Sequence, residues 1–196
     1  MKKLLAMMMV AGAALTFQSC GGSSTNDSKA NADSANETKD TSTNAVETGG
    51  IAVDSDDAEF AVEAANGGMA EVELAKLAET KATSPKVKEF AAMMIKDHTM
   101  ANEELMALAK TKNITLPTTV GVDQQTVMGD LQKKAGAEFD KGYVDAMVKD
   151  HDKDVTLFEK ASTDAKDADI KSFATKTLPT LKMHQQAIKA IQDGMK

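Results

Sequence analysis

Arginine and tryptophan are absent from this chain, which also holds one cysteine, Cys20, one tyrosine, Tyr143, and three prolines. Without arginine there is no planar guanidinium fork for phosphate, and a net charge of −7 repels polyanions, so nucleic-acid and phosphate binding are excluded. Aromatic residues make up 4% of the chain, too few for the stacking platforms that hold single-stranded nucleic acid or carbohydrate. A lone cysteine forms no internal disulfide and leaves no thiol pair for catalysis or metal binding. No nucleophile elbow and no phosphate loop is present, so conventional enzyme classes find no motif here.

The longest apolar run, Leu4 to Phe17, falls short of the roughly 20 residues that cross a bilayer. Preceded by Met1-Lys2-Lys3 and followed by Ser19-Cys20-Gly21, it reads as a secretory signal over residues 1–19. Ser19-Cys20-Gly21 resembles the bacterial lipobox, which implies cleavage before Cys20 and its acylation. Gly, Ser, Thr, Asn and Asp then dominate, and residues 20–56 are expected to be the acylated cysteine and a disordered tether. The expected location is the cell envelope, lipid-anchored and facing the periplasm, with the outer membrane as its carrier and the lipid anchor as its membrane contact. No protein partner is legible.

Residues 57–196 form a stretch of one-domain size. Every long segment has a 3.6-residue apolar period and none alternates like a strand, so the fold class is all-α. The pattern predicts helices over 57–80, with Asp57 as N-cap and Gly67-Gly68 as a bend or a close approach; 85–111, with Ser84 as N-cap and Pro85 at the first helical position; 137–161; and 167–193, kinked at Pro179 and stopped by Gly194. A short helix over 123–135 lies in the connection after the second. Four long helices joined in this order predict a four-helix bundle of two hairpins related by a pseudo-twofold.

Two five-residue strings recur 53 positions apart, Met94-Ile95-Lys96-Asp97-His98 and Met147-Val148-Lys149-Asp150-His151. On an ideal helix His98, His151 and His184 all face inward, as does Glu71, whereas Glu59, Glu63 and Glu73 lie on the solvent face. Counted from the helical turns at about 1.5 Å per residue, Glu71 and His98 stand nearly level at about 18 and 22 Å, and His151 and His184 at about 21 and 28 Å, the last altered by the Pro179 kink, which lets the four meet at mid-bundle. These four are candidate metal ligands, with Met94 and Met147 as accessory thioethers and Asp97 and Asp150 as groups that orient a histidine of a neighbouring helix or pair with surface lysine. Imidazoles and a carboxylate suit zinc, and thioethers tilt the set toward copper. A ferritin-type di-iron site is disfavoured, because Ile95, Val148 and Leu181 stand where Glu-x-x-His would need glutamate. The competing reading is a buried hydrogen bond for each histidine and plain core packing for the methionines.

Gly67-Gly68-Met69-Ala70-Glu71, Val87-Lys88-Glu89-Phe90-Ala91, the two Asp-His strings, Phe139-Asp140-Lys141-Gly142-Tyr143 and Thr177-Leu178-Pro179-Thr180-Leu181 together resemble the bacterial family called domain of unknown function 4142. The resemblance runs from about Asp57 to Ile191. It implies a ferritin-like four-helix bundle in exported proteins with no established activity. Two functional readings follow: a non-enzymatic envelope lipoprotein acting as an interaction module, and a periplasmic copper- or zinc-binding protein. Replacing Cys20 by alanine is expected to abolish palmitate incorporation and shift the protein from the membrane to the soluble fraction; an unmodified Cys20 in the parent contradicts the anchor.

Overall fold

The computed structural model describes residues 27–40 and 53–195. The expected signal segment, Cys20 and the tether residues 41–52 lie outside the described residues. Those described form six α-helices: α1 (Ser28–Asp40), α2 (Ser55–Lys81), α3 (Pro85–Thr111), α4 (Val122–Gln132), α5 (Gly136–Asp164) and α6 (Ala168–Asp193). Helices α2 and α3 make one hairpin and α5 and α6 the other; α2 packs on α5 and α3 on α6, closing a four-helix bundle. No described helix is long and apolar enough to cross a membrane.

Helix α2 starts two residues earlier than its sequence pattern predicts, and its cap lies three residues earlier. Asp54, not Asp57, is its N-cap, accepting from Asp56 N at 3.1 Å. Asp57 is buried instead and caps another element: its carboxylate accepts from Lys166 N at 3.1 Å and Asp167 N at 2.7 Å, in the turn that opens α6. Ser84 likewise makes no side-chain cap, although Pro85 sits at the first position of α3 as expected. Buried Asp140 of α5 accepts from Thr83 N at 2.9 Å and Ser84 N at 2.9 Å in its place. Each carboxylate satisfies backbone donors that a helix start leaves orphaned, and does so across the bundle.

Asp57 and Asp140 stand 83 positions apart, and so do the turns that they cap. That reciprocity is a pseudo-twofold. The same offset relates the buried pairs Phe60 and Tyr143, Val87 and Ile170, Phe90 and Phe173, and Leu105 and Ile188. It also places the five-residue repeat. His98 lies on the second helix of its hairpin and His151 on the first of its own, so the two strings are not symmetry mates. Glu71 instead finds its mate in Asp154.

Helix α2 runs through Gly67-Gly68 without interruption. A Cβ on Gly68 would stand 2.2 Å from Asn102 Oδ1, so this glycine marks a close approach of α3, not a bend. Helix α3 ends where Asn113 turns left-handed at φ 56°, with Ile114 N bonded to Ala109 O, a Schellman closure. Helix α6 continues through Pro179.

The tether expectation fails over α1. Asp27 caps this helix, accepting from Lys29 N at 3.1 Å. Lys29 pairs with Asp33 and with Glu63 of α2, and Ala32 is buried. Asn36 is also buried and exchanges two hydrogen bonds with the backbone of Thr115, at 2.9 and 2.8 Å. Polar side chains that would leave an isolated helix unstable thus find fixed partners on the bundle.

Two apolar cores fill the bundle. Phe60, Leu105, Phe158, Phe173 and Leu181 anchor one; Leu74, Phe90, Met94, Tyr143, Met147 and Ile188 anchor the other. The pseudo-twofold exchanges them, and the inward polar residues lie where they meet. Asp57→Ala and Asp140→Ala are each expected to lower unfolding stability by about 1–3 kcal/mol, the cost of orphaned buried donors. Being distant, the two losses should add in a urea titration of the double variant; unchanged midpoints contradict the capping role.

Candidate metal centre

Four helices each deliver one inward polar residue to the waist between the cores: Glu71 from α2, His98 from α3, His151 from α5 and His184 from α6. All four are buried, with relative exposures of 1%, 5%, 0% and 0%. The ring centroids of the three histidines are 5.3 to 5.8 Å apart. Each ring offers one nitrogen to a set whose members all lie within 4.8 Å of one another.

One nitrogen of each ring is held by the protein. Glu71 lies between two of them, its Oε2 2.9 Å from His98 Nδ1 and its Oε1 3.3 Å from His151 Nδ1. His151 Nδ1 also donates to the Met147 carbonyl at 2.9 Å. His184 Nε2 meets Asp97 Oδ2 at 3.0 Å. The remaining nitrogens, His98 Nε2, His151 Nε2 and His184 Nδ1, are buried and have no hydrogen-bond partner. The Met147 carbonyl and the Asp97 carboxylate accept only, so the held nitrogens of His151 and His184 carry the hydrogens and their unpartnered nitrogens present lone pairs; His98 does the same where the Glu71 Oε2 beside it carries no proton.

Burial keeps the rings neutral. It brings His98 down to about 4, against the pull of Asp154 and Asp97. It brings His151 down to about 3, with neighbouring His98 acting in the same direction. His184 is lowered too, chiefly by burial and despite its bond to Asp97. Burial pushes Glu71 up to about 8, reinforced by Asp150, and pushes Asp154 well above the carboxylate range. Glu71 and Asp154 are hydrogen-bonded to each other, so the pair holds a proton between them while Glu71 keeps an accepting oxygen for the imidazoles.

The sequence candidates thus divide. His98, His151 and His184 converge. Glu71 touches the held nitrogens of two rings, standing behind them. Asp97 takes the orienting position expected of it, on the histidine of a neighbouring helix. Asp150 does not: it is buried against Gln124 of α4, away from the rings' hydrogen bonds. Met94 and Met147 are fully buried in the second core, and what Met147 gives the cluster by hydrogen bonding is its carbonyl. Asp154 is not among the residues that the sequence pattern singles out. Its signal was its place three residues after His151 and 83 after Glu71.

Fold and site define an all-α four-helix bundle with a buried three-histidine cluster at its waist. The chain belongs to the family described as Domain of unknown function (DUF4142), whose model matches residues 37–191. Among curated proteins no match is found. Among solved structures the chain is similar to CopM in the Cu(II)-bound form, at 15% identity and a TM-score of 0.61, covering 71% of this chain and 97% of that one. CopM in the Cu(I)-bound form gives 15% identity and 0.61, covering 70% and 96%. The Ag-bound form obtained by co-crystallization gives 16% and 0.58, covering 70% and 96%. At this identity the likeness is one of fold.

Imidazole nitrogen chemical shifts measured on the metal-free protein should show His98 and His151 protonated at Nδ1 and His184 at Nε2. His98 and His151 should stay neutral at pH 5.5. In the unfolded chain the rings regain a value near 6.5, so their protonation favours unfolding and the three rings' contribution to stability should fall as the pH drops from about 6.5 toward 4, opposed in part by the proton that Glu71 and Asp154 hold only in the folded chain. Charged rings at pH 5.5, or the opposite tautomers, contradict the assigned bonding.

Proposed function

We propose that this chain is a metal-binding bundle of the bacterial envelope that holds one copper ion on His98, His151 and His184. The observation that carries the reading is the set of three buried ring nitrogens with lone pairs and no partner. Buried polar atoms in folded proteins are paired, and three unpaired nitrogens that converge ask for a shared partner, of which a metal ion is the one their geometry suits best. Three neutral imidazoles make a donor set suited to copper and zinc. Support for copper over zinc comes from CopM, a bundle of similar fold whose structures hold Cu(II), Cu(I) or Ag.

Glu71, Asp97 and the Met147 carbonyl serve this reading as orienting groups. Each fixes a ring's tautomer and direction, the usual task of a carboxylate or carbonyl behind a metal-ligating histidine. The bound ion would supply Lewis acidity or one-electron chemistry in a water-poor site; the protein holds the rings neutral and convergent before the ion arrives. Anchoring through Cys20 would place the bundle in the periplasm, where copper is met outside the cytoplasm.

A second reading, a metal-free interaction module, draws on the hydrogen bond that every ring already makes. Metal content separates the two. The purified full chain, reconstituted with copper, is expected to retain one ion per chain by mass spectrometry. The His98→Ala/His151→Ala variant, checked for helicity, is expected to retain none. A folded parent that holds neither copper nor zinc leaves the module reading, in which histidine substitution alters stability alone. Asp97→Ala is expected to weaken copper binding by about 10–100-fold, as loss of an orienting carboxylate does; an unchanged affinity contradicts its role.

A further inference from the structure

A buried cluster needs a way in, and the packing around the rings closes most directions. On one side stands the second apolar core, where the Phe90 ring lies 6.1 Å from His151 and 6.3 Å from His184. On the other side lies a void of about 30 Å³, enough for a water molecule or a bare ion. His98 and His184 line it, and Ala101, Asn102, Thr177 and Thr180, all partly exposed, carry it toward the surface between α3 and α6.

The pseudo-twofold explains why this space is there. Under the 83-residue offset His151 corresponds to Gly68, His184 to Ala101, and Met147 to Ala64. Each of these small residues lines the void. One side of the axis therefore carries the rings, and the side related to it by symmetry carries small residues, with the Asn102 side chain against Gly68 and the void beside them. The polar residues Glu71, Asp97, Asn102 and Asp154 line it, so it suits a bare cation or a water molecule better than an apolar guest.

We infer that this void between α3 and α6 is the loading port of the three-histidine site, through which a copper ion enters and leaves. The inference rests on the metal-binding reading. Asp97 stands at its threshold, with 16% of its side chain exposed while its Oδ2 bonds His184, so the port and the site share one residue. Filling the void should slow exchange and leave the equilibrium stoichiometry alone, because neither Ala101 nor Thr177 touches the rings' held nitrogens.

The test uses the full chain loaded with Cu(I) and extracted by a colorimetric Cu(I) chelator in stopped flow. Ala101→Leu and Thr177→Leu, each placed in the void, are expected to lengthen the extraction half-time by roughly tenfold or more. Thr180→Ala, which widens the passage, is expected to shorten it. Both leucine variants should still bind one ion. Parental rates in whichever leucine variant folds would overturn the port. A parent that binds no copper fails at the loading step and overturns the metal-binding reading itself, so the two failures are told apart.

Discussion

The arrangement turns on one buried carboxylate. Glu71 sits at 1% exposure with a histidine nitrogen on each of its oxygens, and a group so placed must be satisfied or neutralised. Sharing a proton with Asp154 relieves its charge, and its Oε2 sets the direction of His98 while the Met147 carbonyl sets that of His151. Because those rings spend their hydrogens on Glu71 and the Met147 carbonyl, their other nitrogens turn together with lone pairs exposed to one another. The third ring is set in the same way by Asp97. Convergent lone pairs in a desolvated space are unfavourable unless something positive joins them, and that is the physical content of the metal reading.

Symmetry supplies the frame and its breaking supplies the site. Asp57 and Asp140 lock the two hairpins by capping each other's turns, and the apolar positions repeat with them. At the waist the repeat is abandoned: histidine faces glycine in one comparison and alanine in another. A duplicated scaffold can keep both cores full while one side of its axis is given donors and the other is given small residues. Glu71 and Asp154 stay related across the axis, which puts the proton-sharing pair between rings and void.

Much of this was legible in the residues themselves. Inward histidines follow from the 3.6-residue period, and counting along the helices puts Glu71, His98 and His151 near one height, because a bundle with short turns fixes register; the count leaves His184 about 7 Å further on. The helix α1 was not legible, since its stability comes from Asn36 on the Thr115 backbone and Lys29 on Glu63, bonds to residues far along the chain. Nor was the fate of the two aspartates. Asp97 and Asp150 sit in almost identical local sequence, yet α3 turns the first toward α6 and α5 turns the second toward α4. Local pattern says which way a side chain leaves its helix; the neighbour that it meets is a property of topology. The same limit hid the capping roles of Asp57 and Asp140, whose partners lie 109 and 57 positions away.

X-ray absorption at the copper edge of the Cu(I)-loaded chain tests the central claim most directly. The account predicts a first shell of three nitrogens at about 2.0 Å with the outer-shell scattering of imidazole rings. A first shell dominated by sulfur, or one without imidazole scattering, would contradict it by taking the ion away from His98, His151 and His184.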